Sequence, residues 1–336
     1  MRLRLLVSLV YGMCAISAFA SAPQGSVVAC HGALSVKDGQ VVGEHGEPVA
    51  LKGMSLFWSQ WAPQYYAAET VEWLATDWRV DVVRAAIAAE GDDSARQHFD
   101  RELAKASAVI DAAVAQGIYV VVDWHAHRAY PNEAERFLVA VARKYGHLPN
   151  VIYEDWNEPL RDGVDWSRDV KPYHQQVIGA IRAVDPDNLI IAGSPSWSQD
   201  VDLAALDPLP FGNVAYTLHY YAATHKQDLR DKADKAIAAG QALLITEFGT
   251  VEATGDGPID LSESRLWWDW AESNGIGWMN WSITDKDESS AALKPGTKPA
   301  GWSEDDLTES GRLLRSTLRE AAARKPACQH SLGSIR

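Results

Sequence analysis

The side chains best suited to chemistry are two glutamates that stand at the ends of separate short apolar runs. Glu158 lies in an Asn-Glu-Pro segment, and Glu247 lies in a Thr-Glu-Phe-Gly segment. Two carboxyl groups can cleave a glycosidic bond, because one protonates the departing oxygen while the other attacks, or activates water at, the anomeric carbon. The pair therefore indicates glycoside cleavage.

Side chains able to hold a sugar stand at the ends of the same set of runs. They provide hydrogen-bond donors, imidazoles and aromatic rings: Phe57, Trp58, Trp61, Arg84, His125, His127, Asn157, Ser194, Trp197, His219, Tyr220, Tyr221 and Trp281. The chain contains 14 Trp residues, and aromatic faces can stack on the apolar faces of sugar rings. A polysaccharide hydrolase is the function that this set predicts best.

The elements that must position these residues alternate between β-rich runs and helical stretches. The runs are 49–56, 81–87, 118–124, 151–156, 189–192, 214–220, 242–246 and 275–282, and the helical stretches are 67–78, 95–116, 133–145, 166–184, 229–239 and 261–274. Runs that are apolar on both faces are typical of a parallel sheet covered by helices. Eight such units predict an α/β fold, a single-domain (β/α)8 TIM barrel, whose active site lies at the C-terminal strand ends.

A doubly wound open sheet is the alternative fold. It would carry a Gly-rich phosphate-binding turn after its first strand. The corresponding segment here, 51–55, reads Leu-Lys-Gly-Met-Ser and is not such a turn. The barrel is therefore favoured.

The composition describes an acidic globular protein. Of 336 residues, 47% are hydrophobic and 23% are charged, which suits a sizeable core and excludes a disordered or collagen-like chain. The 31 basic and 45 acidic residues give a net charge of −14. Such a chain repels nucleic acid and anionic membrane surfaces, so neither is expected as a partner.

The amino terminus has the pattern of a secretory signal peptide, residues 1–20. Arg2 and Arg4 precede an apolar run, and a small-x-small cleavage site ends at Ala20. We expect cleavage there to release a mature protein, residues 21–336, to the periplasm or the medium. No later segment is apolar for long enough to span a membrane, so no membrane contact is expected after cleavage.

Two cysteines remain in the mature chain, Cys30 and Cys328, one near each end. An oxidising compartment disfavours unpaired cysteine, so we expect a disulfide between them, two separate thiols being the alternative. Loop-entropy models assign a bridge that closes nearly the whole chain about 5 kcal/mol.

Five segments resemble the retaining glycoside hydrolases of family 5, in particular its bacterial endoglucanases. They are NVIYEDWNEP (150–159), LLITEFGT (243–250), VVVDWHAH (120–127), HYYAATH (219–225) and WMNWSITDKDESSAAL (278–293). The resemblance runs from about Leu34 to Leu293. It implies a (β/α)8 barrel, cleavage of internal β-1,4-glucosidic bonds with retention, and no metal or organic cofactor.

The resemblance therefore implies a secreted endo-β-1,4-glucanase that acts on cellulose and related β-glucans. A β-1,4-linked polysaccharide is the expected partner, and the protein is expected to be a monomer. Mannan, xylan, mixed-linkage glucan and chitosan remain alternative substrates. The sequence contains no recognisable carbohydrate-binding module, so we expect better action on soluble or amorphous chains than on crystalline cellulose.

The family pattern also assigns roles to individual residues. The first and second segments imply Glu158 as general acid/base and Glu247 as nucleophile. Asn157 would bind the sugar 2-hydroxyl and Arg84 would hold the nucleophile ionised. His125 matches the family's residue that contacts a sugar hydroxyl. His219 matches the partner of the acid/base, and Tyr221 matches the partner of the nucleophile. The charge on Glu247 is expected to keep Glu158 protonated until the leaving group takes its proton.

Substrate contacts are implied in the same way. Trp281 would form the floor of the cleavage subsite, Trp61 a platform on the non-reducing side, and Trp197 one on the leaving-group side. Lys286 and Glu288 resemble polar contacts further along the cleft. The role of His127 is less specific, since it either contacts substrate or supports its neighbour.

Two positions depart from the family pattern, and two rival functions remain. Phe57 stands where many relatives carry His, and Trp156 replaces a smaller residue, so that it either points into the barrel or crowds the cleft. The His125-x-His127 pair suggests a metal-dependent barrel hydrolase as one rival. A glycan-binding barrel without catalysis is the other.

Overall fold

The computed structural model of the protein describes residues 22–325. Its strands are β1 (Ser35–Lys37), β2 (Gln40–Val42), β3 (Lys52–Leu56), β4 (Val82–Ala88), β5 (Tyr119–His125), β6 (Val151–Glu154), β7 (Ile190–Ala192), β8 (Val214–Tyr221), β9 (Leu243–Gly249) and β10 (Trp278–Ile283). Strands β3 to β10 close into a barrel of parallel pairs in the order β10-β3-β4-β5-β6-β7-β8-β9. The predicted (β/α)8 barrel is confirmed.

Helices cover the outside of the barrel. They are α1 (Val27–His31), α2 (Ala68–Trp73), α3 (Phe99–Gln116), α4 (Pro131–Tyr145), α5 (Lys171–Arg182), α6 (Pro195–Ser198), α7 (Val201–Leu206), α8 (Gln227–Ala238), α9 (Leu261–Ser273) and α10 (Glu309–Arg324). Within residues 22–325, none of these helices has both the length and the apolar character that a membrane crossing requires.

The observed elements differ from the sequence prediction mainly at their ends. Two predicted helices, 67–78 and 166–184, each contain a π-helical turn, at Leu74–Trp78 and Trp166–Val170. The β1–β2 hairpin was not predicted, because three-residue strands leave too little alternation to detect. The connection after β7 holds only the short helices α6 and α7.

The barrel interior has an apolar layer below a polar one. Val82, Val121, Ile152 and Leu244 belong to one buried cluster on four neighbouring or near-neighbouring strands. Because side chains two residues apart on a strand share a face, the next inward positions are Arg84, Asp123, Glu154 and Thr246, all buried. The polar layer therefore lies one step nearer the C-terminal ends of the strands.

Two of the sequence predictions fall on residues outside the described range. The signal peptide, residues 1–20, precedes it, and Cys328 follows it. Export, the domain bounds and the Cys30–Cys328 bridge therefore stay predictions.

Candidate active site

Arg84 is the centre of the polar layer. Its Nε donates to Glu154 Oε2 at 2.7 Å, and its Nη2 lies 2.9 Å from Asp123 Oδ2. The same Nη2 donates to Asn157 Oδ1 at 2.6 Å, and Nη1 donates to Glu247 Oε2 at 3.2 Å. A single buried guanidinium thus holds three carboxyl groups and one amide in fixed positions.

Glu158 and Glu247 face each other at the C-terminal end of the barrel. Glu158 follows β6, and Glu247 lies within β9. One carboxyl oxygen of Glu158, one of Glu247 and a ring nitrogen of His219 all lie within 4.8 Å of one another. Carboxyl groups about 5 Å apart suit a nucleophile and an acid/base, whereas a wider pair would leave room for water between them.

Glu158 is held by two histidines, one on each oxygen. His219 Nδ1 lies 2.9 Å from Oε1, and His127 Nε2 lies 3.4 Å from Oε2. Burial opposes ionisation of Glu158, but hydrogen bonds from His127 and His219 outweigh it and lower its pKa to about 2. Burial likewise opposes ionisation of His219, yet its contacts with Glu154 and Glu158 raise its pKa to about 9.

The expected protonation of Glu158 is therefore wrong for the site without substrate. The prediction considered only the repulsion between Glu158 and Glu247. Two imidazoles next to Glu158 take up the proton instead, and they hold Glu158 as a carboxylate. The two carboxyl groups are unequal, but in the direction opposite to the prediction, since the pKa of Glu158 is lowered and that of Glu247 is raised.

Glu247 is held between Arg84 and Tyr221. Tyr221 Oη donates to Glu247 Oε1 at 2.9 Å, while Arg84 contacts Oε2. Burial and the charge of Glu158 raise the pKa of Glu247, whereas His219, Arg84 and Tyr221 act in the opposite direction. The contacts orient the carboxylate and offset part of the cost of burying it.

The two carboxyl groups lie at the base of an open cleft with a volume of about 710 Å³. The cleft is lined by most of the predicted site residues: Trp61, His125, His127, Glu158, Trp197, His219, Tyr221, Glu247, Trp281, Lys286 and Glu288. Arg84 and Asn157 lie directly beneath, joined by their hydrogen bond. The structure therefore brings these residues into one region. Two other residues predicted at strand ends do not line the cleft: Ser194 is buried, and Tyr220 is buried in a stack with Phe248 and Trp267.

Aromatic rings cover one wall and part of the floor of the cleft. His125 stacks on Trp281 with centroids 5.1 Å apart and 7° between the planes, and His125 Nδ1 lies 2.6 Å from Asp123 Oδ2. Trp61 packs against Trp58 at 5.0 Å but is 64% exposed. An indole that is fixed on one side and open on the other is suited to sugar stacking.

Trp197 lies on the opposite side, in a left-handed turn. Ser196, Trp197 and Ser198 have φ values of 60°, 57° and 57°, a region that residues other than Gly enter at a cost. The turn is tied to the Glu158 segment, since Trp197 N donates to Pro159 O at 2.9 Å and Ser198 Oγ donates to Asn157 O at 2.7 Å. Trp197 is 39% exposed and lines the cleft.

The two departures from the family pattern have separate outcomes. Phe57 packs against Trp281 at 5.2 Å, and the Lys286 ammonium lies 5.4 Å from the centre of its ring. Trp156 was expected either to point into the barrel or to crowd the cleft, and both expectations are wrong: it is buried against Tyr173 of α5, with ring centroids 4.3 Å apart.

Sequence reasoning missed several residues that complete the site. They are the buried acids Asp123 and Glu154, Glu90 beside His127, and the cleft residues Arg161, Gln199 and His225. A buried arginine requires compensating carboxylates, so Asp123 and Glu154 could have been found as the acids at inward positions of neighbouring strands. The position of Glu90 depends on a loop conformation and leaves no such signal.

The histidine pair proposed for a metal site does not converge. His125 faces Asp123 and Trp281, whereas His127 faces Glu158 and Glu90. Within residues 22–325 the group of side chains close enough to share an ion is Glu158, His219 and Glu247. Those three already contact one another or neighbouring side chains.

The sequence is similar to a known protein family and to several of its members. The family model described as cellulase, glycosyl hydrolase family 5, matches residues 42–287. Endoglucanase N of Pectobacterium atrosepticum is 42% identical over 311 residues, which are 90% of this chain and 69% of that protein. Endoglucanase A of Evansella cellulosilytica is 43% identical over 288 residues, which are 84% and 59% of the two chains.

A solved structure resembles most of this chain. The catalytic domain of Thermobifida fusca endoglucanase Cel5A, in complex with cellotetraose, is 32% identical with a TM-score of 0.83, and the match covers 88% of this chain and 99% of that one. The chain spans only 59% to 69% of the length of the two curated relatives above.

A closed barrel with two facing carboxyl groups in an aromatic cleft defines a glycoside hydrolase. The match over most of the chain makes the assignment specific. The chain belongs to the cellulase family, glycosyl hydrolase family 5.

Proposed function

We propose that the protein is a retaining endo-β-1,4-glucanase that cleaves cellulose and related β-glucans. The observation that carries this proposal is the separation of Glu158 and Glu247, whose oxygens approach within 4.8 Å at the base of an open cleft. The names of the relatives, endoglucanases, and the cellotetraose bound by the Thermobifida fusca domain support the choice of substrate.

In the first half of the reaction Glu247 attacks the anomeric carbon. A bond forms between its oxygen and C1, and the bond between C1 and the glycosidic oxygen breaks as Glu158 transfers a proton to that oxygen. Arg84 and Tyr221 orient the attacking carboxylate through their hydrogen bonds to its two oxygens. Asn157, fixed by Arg84, binds the sugar 2-hydroxyl.

In the second half water releases the sugar. Glu158, now a carboxylate, takes a proton from water as the water oxygen attacks C1, and Glu247 leaves as a carboxylate. Two displacements at C1 retain its configuration. Formation of the ester removes the charge of Glu247, and His219 remains in position to hold Glu158.

The glycan lies along the aromatic wall. Trp281 supports the sugar that is attacked, and Trp61 stacks on a ring toward the non-reducing end. Trp197 stacks on the leaving-group side, and His125 contacts a sugar hydroxyl. Lys286 and Glu288, which pair with each other, bind hydroxyls further along the cleft.

The experiment is reducing-end release from carboxymethyl cellulose, run beside mannan, xylan, mixed-linkage glucan and chitosan at equal mass. We expect preference for the β-glucans and β-anomeric first products by NMR. Glu158→Gln should lower kcat on the preferred chain by about 10²- to 10⁴-fold, and Glu247→Gln should lower it at least as much. Preference for another chain would refute cellulose as substrate, and no release from any would favour a glycan-binding barrel.

We also propose that the protein is exported and works as a monomer. The signal-peptide pattern of residues 1–20 supports export. Amino-terminal sequencing of the exported protein should begin at Ser21, and size-exclusion chromatography with light scattering should give the mass of one chain. A retained leader or a larger mass would contradict the respective proposal.

A further inference from the structure

Glu90 and His127 form a carboxylate–imidazole pair aimed at Glu158. His127 Nδ1 lies 3.2 Å from Glu90 Oε2, and His127 Nε2 lies 3.4 Å from Glu158 Oε2. The other oxygen of Glu90 accepts from the backbone N–H groups of His127 and Arg128, at 3.1 Å and 2.8 Å. Glu90 is therefore fixed by the loop that carries the imidazole.

This geometry determines which ring nitrogen of His127 faces each carboxylate: Nδ1 faces Glu90, and Nε2 faces Glu158. A carboxylate next to Nδ1 accepts a hydrogen bond from the Nδ1–H group, so Glu90 keeps the Nδ1 proton in place. Nε2 then either accepts a proton from Glu158 or, as imidazolium, donates one to it. The indole of Trp58 lies against the imidazole at 5.5 Å and limits the movement of the ring.

We propose that Glu90 and His127 are positioning residues that share the acid proton with Glu158 and thereby extend its action as general acid to higher pH. The proposal rests on the proposed glycosidase function of the same site. It differs from the sequence expectation, in which His127 contacts substrate or supports its neighbour.

The proton balance of the step is simple. In the proposed starting state the proton lies on His127 Nε2, 3.4 Å from Glu158 Oε2, and Glu158 is a carboxylate. As the glycosidic bond breaks, the proton passes from Nε2 to Glu158 Oε2 and from there to the departing oxygen, leaving neutral His127. In the second half the proton that Glu158 takes from water returns to Nε2, which restores the starting state.

The charges around the pair support this role. Burial opposes protonation of His127, but the hydrogen bonds that it donates to the carboxylates of Glu158 and Glu90 outweigh burial and raise its pKa to about 10. The titratable groups that face His127 or Glu158 from the surrounding strands and loops are Glu90, His125, His219, Tyr221, His225 and Glu247. Of these, Glu90 is the carboxylate that contacts His127 on the side away from Glu158.

Glu90→Gln tests the pair, because it removes the charge and keeps the shape. We expect the alkaline limb of the pH profile of kcat/KM for cellotetraose to move to lower pH by about 1 pH unit. At pH values above that limb, kcat/KM should therefore fall about 10-fold. Cleavage of 2,4-dinitrophenyl β-cellobioside should change by less than about 2-fold, since its leaving group needs little protonation. His127→Gln should show the same split between the two substrates.

Glu47→Gln is the matched control. Glu47 forms a similar contact with a histidine, His31 Nδ1 at 2.9 Å, outside the cleft, so its removal should leave the pH profile unchanged. An unmoved alkaline limb in Glu90→Gln, or an equal rise of KM for both substrates in His127→Gln, would overturn the proposal in favour of a sugar contact.

A measurement without substrate separates this inference from the proposed function. Histidine Cε1 NMR signals are titrated in the protein alone, with the His127 signal assigned by its loss in His127→Gln. We expect His127 to stay protonated to a higher pH in the natural protein than in Glu90→Gln. Equal titration in both would overturn the pair, whereas failure of the natural protein to cleave any β-glucan would refute the function alone.

Discussion

At the scale of single residues, the hydrogen bond from Tyr221 to Glu247 has a measurable effect on pH dependence. Burial and the charge of Glu158 already raise the pKa of Glu247, and the Tyr221 hydroxyl opposes that rise. Tyr221→Phe should therefore raise the pKa of Glu247 further. The acidic limb of the pH profile of kcat/KM should move to higher pH by about 1 pH unit, since a hydrogen bond to a charged group contributes about 1.5–3 kcal/mol.

The control for this prediction is another tyrosine that donates to a carboxylate. Tyr145 Oη donates to Asp111 Oδ1 at 2.9 Å between two outer helices, so Tyr145→Phe should leave both limbs of the profile in place. An acidic limb that stays in place in Tyr221→Phe, or moves down, would contradict the assignment of Glu247 as the group that must be ionised.

The residues that could be found from sequence are those whose position follows from a strand end. Glu158 and Glu247 stand in recognisable segments after or within strands, so their proximity follows once the barrel closes. Glu90 could not be found, because its contact with His127 depends on the path of two loops. The protonation of Glu158 was missed for the same reason, since it is determined by neighbours from separate loops and strands.

At the scale of elements, the strands were easier to predict than the connections. The strand β5 is buried along its whole length, and its apolar run is visible in the sequence. The segment after β7 instead contains a left-handed turn at Ser196–Ser198 that departs from helical periodicity. Its geometry depends on hydrogen bonds to Asn157 and Pro159 in another loop, which no local pattern encodes.

The packing of α10 on the barrel depends on the absence of a side chain at Gly311. A Cβ atom added there would lie 2.0 Å from Ala292 O, and that carbonyl also accepts from the backbone of Thr308 at the start of the helix. Gly311→Ala should force the helix away from the segment after β10 and lower the free energy of unfolding by about 1–3 kcal/mol. Chemical denaturation monitored by circular dichroism measures this change.

Gly179 in α5 provides the comparison within the same protein. A Cβ atom there would meet only Phe211 Cζ, at 4.0 Å, so Gly179→Ala should raise the free energy of unfolding by roughly 0.5–1 kcal/mol through helix propensity. If both substitutions stabilise the protein, the close approach at Gly311 is not a constraint on the fold.

At the scale of the whole molecule, both ends of the described chain lie near the same residues at the amino-terminal end of the barrel. Tyr119 Oη donates to Gly32 O at 2.6 Å, just after α1, which contains Cys30. The backbone N–H of Tyr119 donates to Asp81 O at 2.9 Å, and the Asp81 carboxylate pairs with Lys325, just after α10. Cys328 is three positions beyond Lys325 in the sequence, and extended chain covers about 3.3–3.6 Å per residue.

The Cys30–Cys328 bridge therefore remains a prediction with physical support from both described ends. We expect the oxidised protein to have no thiol that reacts with a labelling reagent after unfolding, and to be lighter by two hydrogens than the reduced protein. The double variant Cys30→Ser with Cys328→Ser should have a free energy of unfolding lower by about 2–5 kcal/mol. A reductant should lower the free energy of unfolding of the natural protein by a similar amount, but it should leave that of the double variant unchanged. Two reactive thiols in the oxidised protein would show instead that noncovalent contacts alone, such as that between Lys325 and Asp81, hold the two ends at the barrel.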